Sequence, residues 1–215
     1  MSGKLSLDVK QQVERGVLIL RQGGVIAFPT DTVYGLGACA DIPQAVERVY
    51  RVKERPRTMA LPLLLAHFSE IGEVADNVPP IAWLLAGNFL PGALTMVLYK
   101  SNSVPDIITS GGNTVAVRIP AHPVPIALIK GAGAPIVGTS ANLSGEPSPL
   151  AADDVRSQLG DRIDLVIDGG QCPGGRESTV VDVTGEMPIV LREGVISREE
   201  IMKVCGSTAI GKGAK

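Results

Sequence analysis

The 215-residue chain reads as α/β, a mixed β-sheet with helices packed on it. Three observations predict this. Apolar residues make up 45% and charged residues 20%, enough for a sizeable core. Segments with helical periodicity interleave with short runs of strand composition. Several connections between strands are too short for a crossover helix, which favours a mixed sheet over a strictly parallel one. The length suits one domain over residues 1–206, with 207–215 as a flexible C-terminal tail.

Ser6 caps a first helix in which Val9, Val13, Val17 and Leu20 recur on one face. Gly23-Gly24 stops it, and Val25-Ile26-Ala27-Phe28 is a short buried strand. Asp41 with Gln44 reads as a capping box for a second helix carrying Val46, Val49 and Tyr50. That helix delivers Lys53 and Arg55 to its C-terminal end. Residues 61–65 form a strand that Pro62 marks as an edge or a strand start. Pro79-Pro80 opens a helix through Trp83, Leu84 and Leu85, and Pro91-Gly92 closes the loop behind it. Residues 94–99 and 114–119 have strand composition, with Gly111-Gly112 turning the chain before the second. Pro123 starts a short helix, and 135–137 is another strand. Ser148 caps a helix through Val155 and Leu159. Residues 165–167, 179–183 and 189–191 supply three more strands. Ser197 and Glu200 form a second capping box, opening a last helix through Val204.

Composition narrows the function classes. Three Phe, three Tyr and one Trp are too few for a base-stacking nucleic-acid platform. A net charge of −2 gives no global attraction to RNA or DNA, so any anion site must be a local cluster. Cys39, Cys172 and Cys205 are widely separated and form no CxxC pair, as expected of reduced cytosolic thiols. His67 and His122, the only histidines, are little material for a zinc site or a Ser-His-Asp triad. No apolar run approaches the ~18–20 residues that cross a bilayer, so the expectation is a cytoplasmic protein with no membrane partner.

Local clusters carry the chemistry. Lys53-Glu54-Arg55-Pro56-Arg57 packs three cations into five residues just before an apolar run. Arg forks match phosphate or carboxylate oxygens, and Lys adds a mobile point charge. In Phe28-Pro29-Thr30-Asp31-Thr32-Val33-Tyr34-Gly35-Leu36-Gly37, hydroxyls and an aspartate follow a buried strand, either as turn chemistry or as a ligand cradle. Gly138-Thr139-Ser140-Ala141-Asn142-Leu143-Ser144-Gly145 sets hydroxyls and an amide after a strand, where they suit phosphate or ribose. It lacks the Gly-Lys-Ser/Thr ending of a Walker loop. Alternation puts Thr114, Ala116 and Arg118 on one face of their strand, and Arg192 follows another. An arginine leaving a buried strand needs an anion, which is either a ligand or an internal Asp or Glu. Ser178 stands where it would add a hydroxyl to the same cavity.

Together these segments resemble the YrdC/TsaC family of threonylcarbamoyl-AMP synthases, in its short single-domain form. The matching pieces are Phe-Pro-Thr-Asp-Thr-Val-Tyr-Gly-Leu at 28–36, Lys-Glu-Arg-Pro at 53–56, Pro-Gly-Ala-Leu-Thr at 91–95 and Val-Ala-Val-Arg-Ile-Pro at 115–120. Thr-Ser-Ala-Asn-Leu-Ser-Gly at 139–145, Ser-Thr-Val-Val-Asp at 178–182 and Leu-Arg-Glu-Gly at 191–194 complete the set in one order. The resemblance implies a twisted, open mixed sheet around a basic cavity. It implies a nucleotidyltransferase that makes threonylcarbamoyl-AMP and pyrophosphate from L-threonine, bicarbonate and ATP, with Mg2+ on the phosphates. The product would feed a tRNA threonylcarbamoyl transferase complex for threonylcarbamoyladenosine (t6A) modification. Contact with tRNA or double-stranded RNA is the other partner the resemblance allows, and a non-catalytic RNA-binding protein or a paralogue of other activity is the alternative.

Carried over by position, Thr32, Arg118 and Ser178 match residues around threonine, with Arg118 on its carboxylate. Lys53, Arg55, Ser140, Asn142 and Arg192 match the ATP side, Lys53 and Arg55 as catalytic residues. Thr114 and Ser148 fall where some relatives touch the nucleotide. One departure stands out. Met59, Ala60 and Leu64 replace a polar residue, a proline and a histidine of some relatives, which leaves main-chain contacts as the way this segment meets substrate. Removing Lys53 or Arg55 is expected to stop adenylate formation with the fold intact. The glycine-rich loop 168–176 is expected to act as a lid that keeps water from the carbamate and the mixed anhydride.

Overall fold

A computed structural model describes residues 5–206, so the expected tail at 207–215 lies outside the described residues. Ser6 caps helix α1 (Leu7–Arg21), its hydroxyl accepting from the Val9 amide at 3.3 Å. Strand β1 (Ile26–Phe28) follows the glycine pair and turns back antiparallel into β2 (Gly35–Cys39). β2 was not expected, because Gly-Leu-Gly-Ala-Cys carries neither strand alternation nor β-branched residues. Helix α2 (Pro43–Lys53) starts with proline at its first turn and Ile42 before it. The expected Asp41/Gln44 capping box does not form.

Strand β3 is only Leu63–Leu64, and the next helical turn is α3 (Ile71–Val74). Helix α4 (Pro80–Phe89) and strand β4 (Leu94–Tyr99) match expectation, and the turn α5 (Asp106–Thr109) precedes β5 (Thr114–Arg118). Helix α6 (Pro123–Ala132) is capped by His122, whose Nδ1 accepts from the Val124 amide. Strand β6 (Ile136–Ser140) runs three residues beyond the expected 135–137. Ser148 does not cap α7 (Ala152–Leu159). The Asp154 carboxylate does that, accepting from the Leu150 and Ala151 amides. Strands β7 (Leu165–Val166), β8 (Thr179–Asp182) and β9 (Ile189–Arg192) lead to α8 (Arg198–Cys205), which the Ser197/Glu200 capping box opens as expected.

Among the described residues there is a single nine-stranded sheet in the order β7-β1-β2-β6-β3-β5-β4-β8-β9. It is mixed: β1–β7, β3–β5 and β4–β8 are parallel and the other neighbours antiparallel. β3 therefore lies at the centre and not at an edge. Pro62 is tolerated because it precedes the paired residues, and its carbonyl accepts from the Gly138 amide.

The two faces are covered unequally, and this creates the site. One face presents Leu36, Leu63, Leu94, Met96, Val115, Val117, Val137 and Val181, packed in one core with buried residues of α2, α4, α7 and α8. The opposite face presents Ile26, Phe28, Leu64 and Ile136 to the buried sides of α1 and α6. Those two helices cover only part of it. Further along the same face the register sets Gly35, Gly138, Ser140, Ala116, Arg118, Thr95 and Val180, which no helix buries.

Candidate functional site

That uncovered face is the floor of a cavity of about 540 Å³, within the range of small-molecule sites. Its walls come from the segment after β1, the end of α2, the loop after β6 and the segments flanking β8 and β9. The floor is low because its residues are small, and hydroxyls and cations rise around it.

Lys53 is the last residue of α2 and is 2% exposed. Its Nζ donates to the Ser140 carbonyl at 2.5 Å, the Asn142 carbonyl at 2.6 Å and Asn142 Oδ1 at 3.2 Å. The Ser144 amide returns a bond to the Lys53 carbonyl at 2.9 Å. Burial, with Arg55 adding to it against the opposing field of Glu177, pushes the Lys53 pKa down to about 8. Lys53 is thus not a mobile point charge but a fixed ammonium that folds the loop after β6. Asn142 serves the same loop, since its Nδ2 donates to the Leu143 and Glu146 carbonyls. The Ser140 side chain faces the cavity.

Glu54 ends α2 in the left-handed conformation (φ 53°), which reverses the chain and brings Arg55 back to the cavity. Arg55 Nε donates to the Met59 carbonyl at 3.0 Å and Nη2 to the Ala60 carbonyl at 2.9 Å. Burial lowers its pKa from the usual arginine value. The departure at Met59 and Ala60 is therefore compatible with the site, because it is their main chain that positions Arg55. Among the described residues no carboxylate lies within 4.0 Å of Lys53 or Arg55 in an ion pair. Arg57 leaves the cluster to pair with Glu47 outside the cavity.

The two strand arginines do meet internal acids. Arg118 Nη2 donates to Asp31 Oδ1 at 2.8 Å, Nη1 to Thr32 Oγ1 at 3.1 Å and Nε to the Gly92 carbonyl at 3.0 Å. Burial lowers the Arg118 pKa, and the Asp31 charge opposes that. Thr30 Oγ1 donates to the Val33 carbonyl and lies 3.1 Å from Thr32 Oγ1, so the segment after β1 is a hydroxyl ladder against the guanidinium.

Arg192 reaches the cavity through a β-bulge. Val181 pairs with Val190, yet Val180 pairs with Arg192, so Leu191 is an extra residue. A straight ladder would turn Arg192 to the face of Thr179, which is fully buried. Its Nη1 donates to Glu177 Oε2, and Nη2 donates to the Ser178 carbonyl at 2.9 Å. Glu177 Oε1 accepts from Ser148 Oγ at 2.9 Å, and Ser178 Oγ lies 2.8 Å from Thr95 Oγ1.

Lys53, Arg55, Thr32, Arg118, Ser140, Asn142, Ser148, Ser178 and Arg192 all line the one cavity. Thr114 does not. It shares the face of Arg118 but pairs with Tyr99 at the opposite end of β5. Asp31 was expected only within a turn or ligand cradle and not as the partner of Arg118, and Glu177 and Thr95 were given no role of their own. Asp31 and Glu177 adjoin expected residues, and the demand of each arginine for an anion was the signal that could have found them. Among the described residues no group of three or more His, Cys, Asp or Glu side chains could hold a metal ion. No helix among them is long and apolar enough to cross a membrane.

The Sua5/YciO/YrdC family model, described as telomere recombination, matches residues 18–194. The chain is 43% identical over 209 residues to the threonylcarbamoyl-AMP synthase of Pyrococcus abyssi, covering 95% of this chain and 62% of that protein. It is 41% identical over 203 residues to the threonylcarbamoyl-AMP synthase of Bacillus subtilis, covering 94% of this chain and 59% of that protein. The chain thus spans about three fifths of the length of these two relatives. The crystal structure of Pyrococcus abyssi Sua5 complexed with L-threonine superposes with a TM-score of 0.89 at 44% identity, over 93% of this chain and 58% of that one.

Proposed function

The chain belongs to the Sua5/YciO/YrdC family, and from that premise we propose that it is an L-threonylcarbamoyladenylate synthase, a nucleotidyltransferase. The observation that carries this reading is the set of four cations, Lys53, Arg55, Arg118 and Arg192, around one cavity. L-threonine, bicarbonate and ATP become threonylcarbamoyl-AMP, pyrophosphate and water. The threonine amine takes up the carbon of bicarbonate with loss of water, the carbamate oxygen attacks the α-phosphorus, and pyrophosphate leaves. Every reactant carries negative charge, and at ~4 Å two unit charges repel by about 4 kcal/mol at an effective dielectric near 20. Lys53 and Arg55, which pair with no carboxylate among the described residues, oppose that repulsion, and Arg118 and Arg192 add to them as far as Asp31 and Glu177 allow.

The threonine carboxylate is received by Arg118, with Thr32 and Ser178 nearby. The phosphates lie toward Lys53, Arg55 and Arg192, beside the loop that Lys53 and Asn142 hold in shape. Alignment needs no covalent nucleophile, since well-oriented groups reach effective molarities of roughly 10⁵–10⁸ M. Mg2+ enters as part of the nucleotide substrate, shielding its phosphates. Of the two carboxylates on the cavity wall, Glu177 is engaged by Arg192 and Ser148, which leaves Glu146, too little for a resident cage but suited to an ion that brings phosphate ligands. The product would pass to a tRNA threonylcarbamoyl transferase complex in the cytoplasm. A non-catalytic RNA binder is the weaker reading, because Lys53 and Arg118 are buried in a cavity wall and not set along an exposed stripe.

Pyrophosphate release with ATP and magnesium, omitting L-threonine and bicarbonate in turn, tests the proposal. Release that needs both supports it, and release indifferent to threonine removes it.

A further inference from the structure

Glu177 has no part in the reaction outlined above, yet it is the carboxylate through which the two sides of the cavity meet. Its Oε2 accepts from Arg192 Nη1 and its Oε1 accepts from Ser148 Oγ. Arg192 also donates from Nη2 to Ser178 Oγ at 3.4 Å, and Ser178 Oγ lies 2.8 Å from Thr95 Oγ1 on the floor. A continuous polar chain therefore runs from Thr95 through Ser178, Arg192 and Glu177 to Ser148. The backbone under it is fixed. The Glu177 carbonyl accepts from the Val195 amide at 3.0 Å, and a Cβ on Gly194 would fall 2.1 Å from that carbonyl oxygen.

We infer that Glu177 is a positioning residue that couples the amino-acid and nucleotide subsites through its ion pair with Arg192. The inference rests on the synthase reading. A phosphate arriving at Arg192 competes with Glu177 for Nη1 and draws the guanidinium off Ser178. That exchange frees the Ser178 hydroxyl on the amino-acid side. Whichever ligand binds first bears the cost of breaking the Arg192–Glu177 arrangement, and the second does not, so each strengthens the other. The reverse would hold for a merely structural carboxylate, whose loss would weaken both ligands separately and leave their ratio alone.

The test is calorimetry of Mg2+ with a non-hydrolysable ATP analogue and of L-threonine, each alone and each in the presence of the other. In the unmodified protein each ligand should improve the other by at least about five-fold, by the same factor from either side. In Glu177→Gln the analogue alone should bind as tightly or more tightly, because no carboxylate competes for Arg192, and the mutual improvement should fall toward one. Glu177→Asp, which keeps the charge, should restore part of it. Undiminished coupling in Glu177→Gln, or no coupling in the unmodified protein despite binding of both ligands, overturns the inference and leaves the synthase reading standing. Failure of the unmodified protein to bind either ligand removes the synthase reading and the inference with it.

Discussion

Leu64 lies over Gly138 so closely that a Cβ added at Gly138 would fall 2.5 Å from both Leu64 Cγ and Cδ1. The two residues belong to neighbouring strands, with Leu64 paired to Ile136 and to Arg118. Leu64 is thus held beside the Arg118 guanidinium, to which we assign the threonine carboxylate, and it stands where some relatives carry a histidine. The glycine is what lets a leucine occupy that place.

Gly138→Ala should therefore destabilise the protein by about 1–3 kcal/mol, the usual cost of overpacking a filled interior. Adding Leu64→Ala should relieve the clash, so the double variant should lose less than the two single losses summed. Urea unfolding of the four proteins measures this. Strict additivity would show that the two side chains do not share the space.

Lys53 predicts a pH dependence with a defined sign. Its folded pKa of about 8 lies below its ordinary 10.5, so between those values the unfolded chain binds more protons and stability rises with pH. Below about pH 8 the cost of burying the charge is fully present. Ligand binding runs the other way, because phosphates favour the ammonium. Mg·ATP affinity should fall about five-fold from pH 8 to pH 9, with proton uptake on binding rising from about one half to about nine tenths, as read by calorimetry in two buffers of different ionisation enthalpy. Affinity flat across that range would show that the nucleotide does not sense Lys53. Lys53→Ala should also soften the fold, contrary to the expectation from sequence. Three oxygens of Ser140 and Asn142 lose their donor, each worth about 1–3 kcal/mol where it stays dry.

The sequence made helices legible where a periodic apolar face and a capping residue occurred together, as at Ser6 and at Ser197 with Glu200, and strands other than β2 legible by their short apolar runs. It failed at β2, where glycines are required by the close neighbours. A Cβ on Gly37 would fall 2.8 Å from the Val137 carbonyl, so the residue that makes the strand possible also hides it. The site was legible by residue type but not by partner. That Arg118 and Arg192 needed anions followed from their strands, and Asp31 and Glu177 adjoin expected residues, but which acid meets which arginine is set by the fold. The bulge at Leu191 is a matter of pairing geometry that no residue at 189–192 signals.

The Arg118–Asp31 pair is mostly buried, with side-chain exposures of 10% and 15%. Asp31→Asn leaves the guanidinium without its counter-charge and should cost about 3–5 kcal/mol of stability. If Arg118 receives the threonine carboxylate, the ligand then supplies the missing charge. L-threonine should raise the melting temperature of Asp31→Asn by more than that of the unmodified protein, and Arg118→Ala should raise the threonine requirement. An equal or smaller shift in Asp31→Asn would assign the carboxylate elsewhere.

The loop 168–176 is exposed except at Cys172, and its first half is pinned by hydrogen bonds. The Asp168 amide donates to Gln12 Oε1, Tyr34 Oη to the Gly170 carbonyl and the Cys172 amide to the Leu150 carbonyl, each at 2.8 Å. Residues 173–176 are exposed, yet Gly174 lies against Thr32, where a Cβ would fall 2.0 Å from the carbonyl oxygen. A segment anchored at Cys172 and resting on Thr32, which lines the cavity, is placed where the proposed lid would have to close. Gly174→Ala should force the segment off the Thr32 main chain at a cost of about 1–3 kcal/mol, with the anchors and the core left alone. Ligand-dependent closure should suffer as well. Trypsin cleavage after Arg176 should slow when L-threonine and ATP are added to the unmodified protein and should not slow in Gly174→Ala. The variant should also lose about ten-fold in kcat/KM for threonine with little change in ATP affinity, because misplacing a positioning segment acts on alignment. Cleavage indifferent to ligands in the unmodified protein would make the loop a passive connection, and the glycines would then serve only its close packing on Pro29 and Thr32.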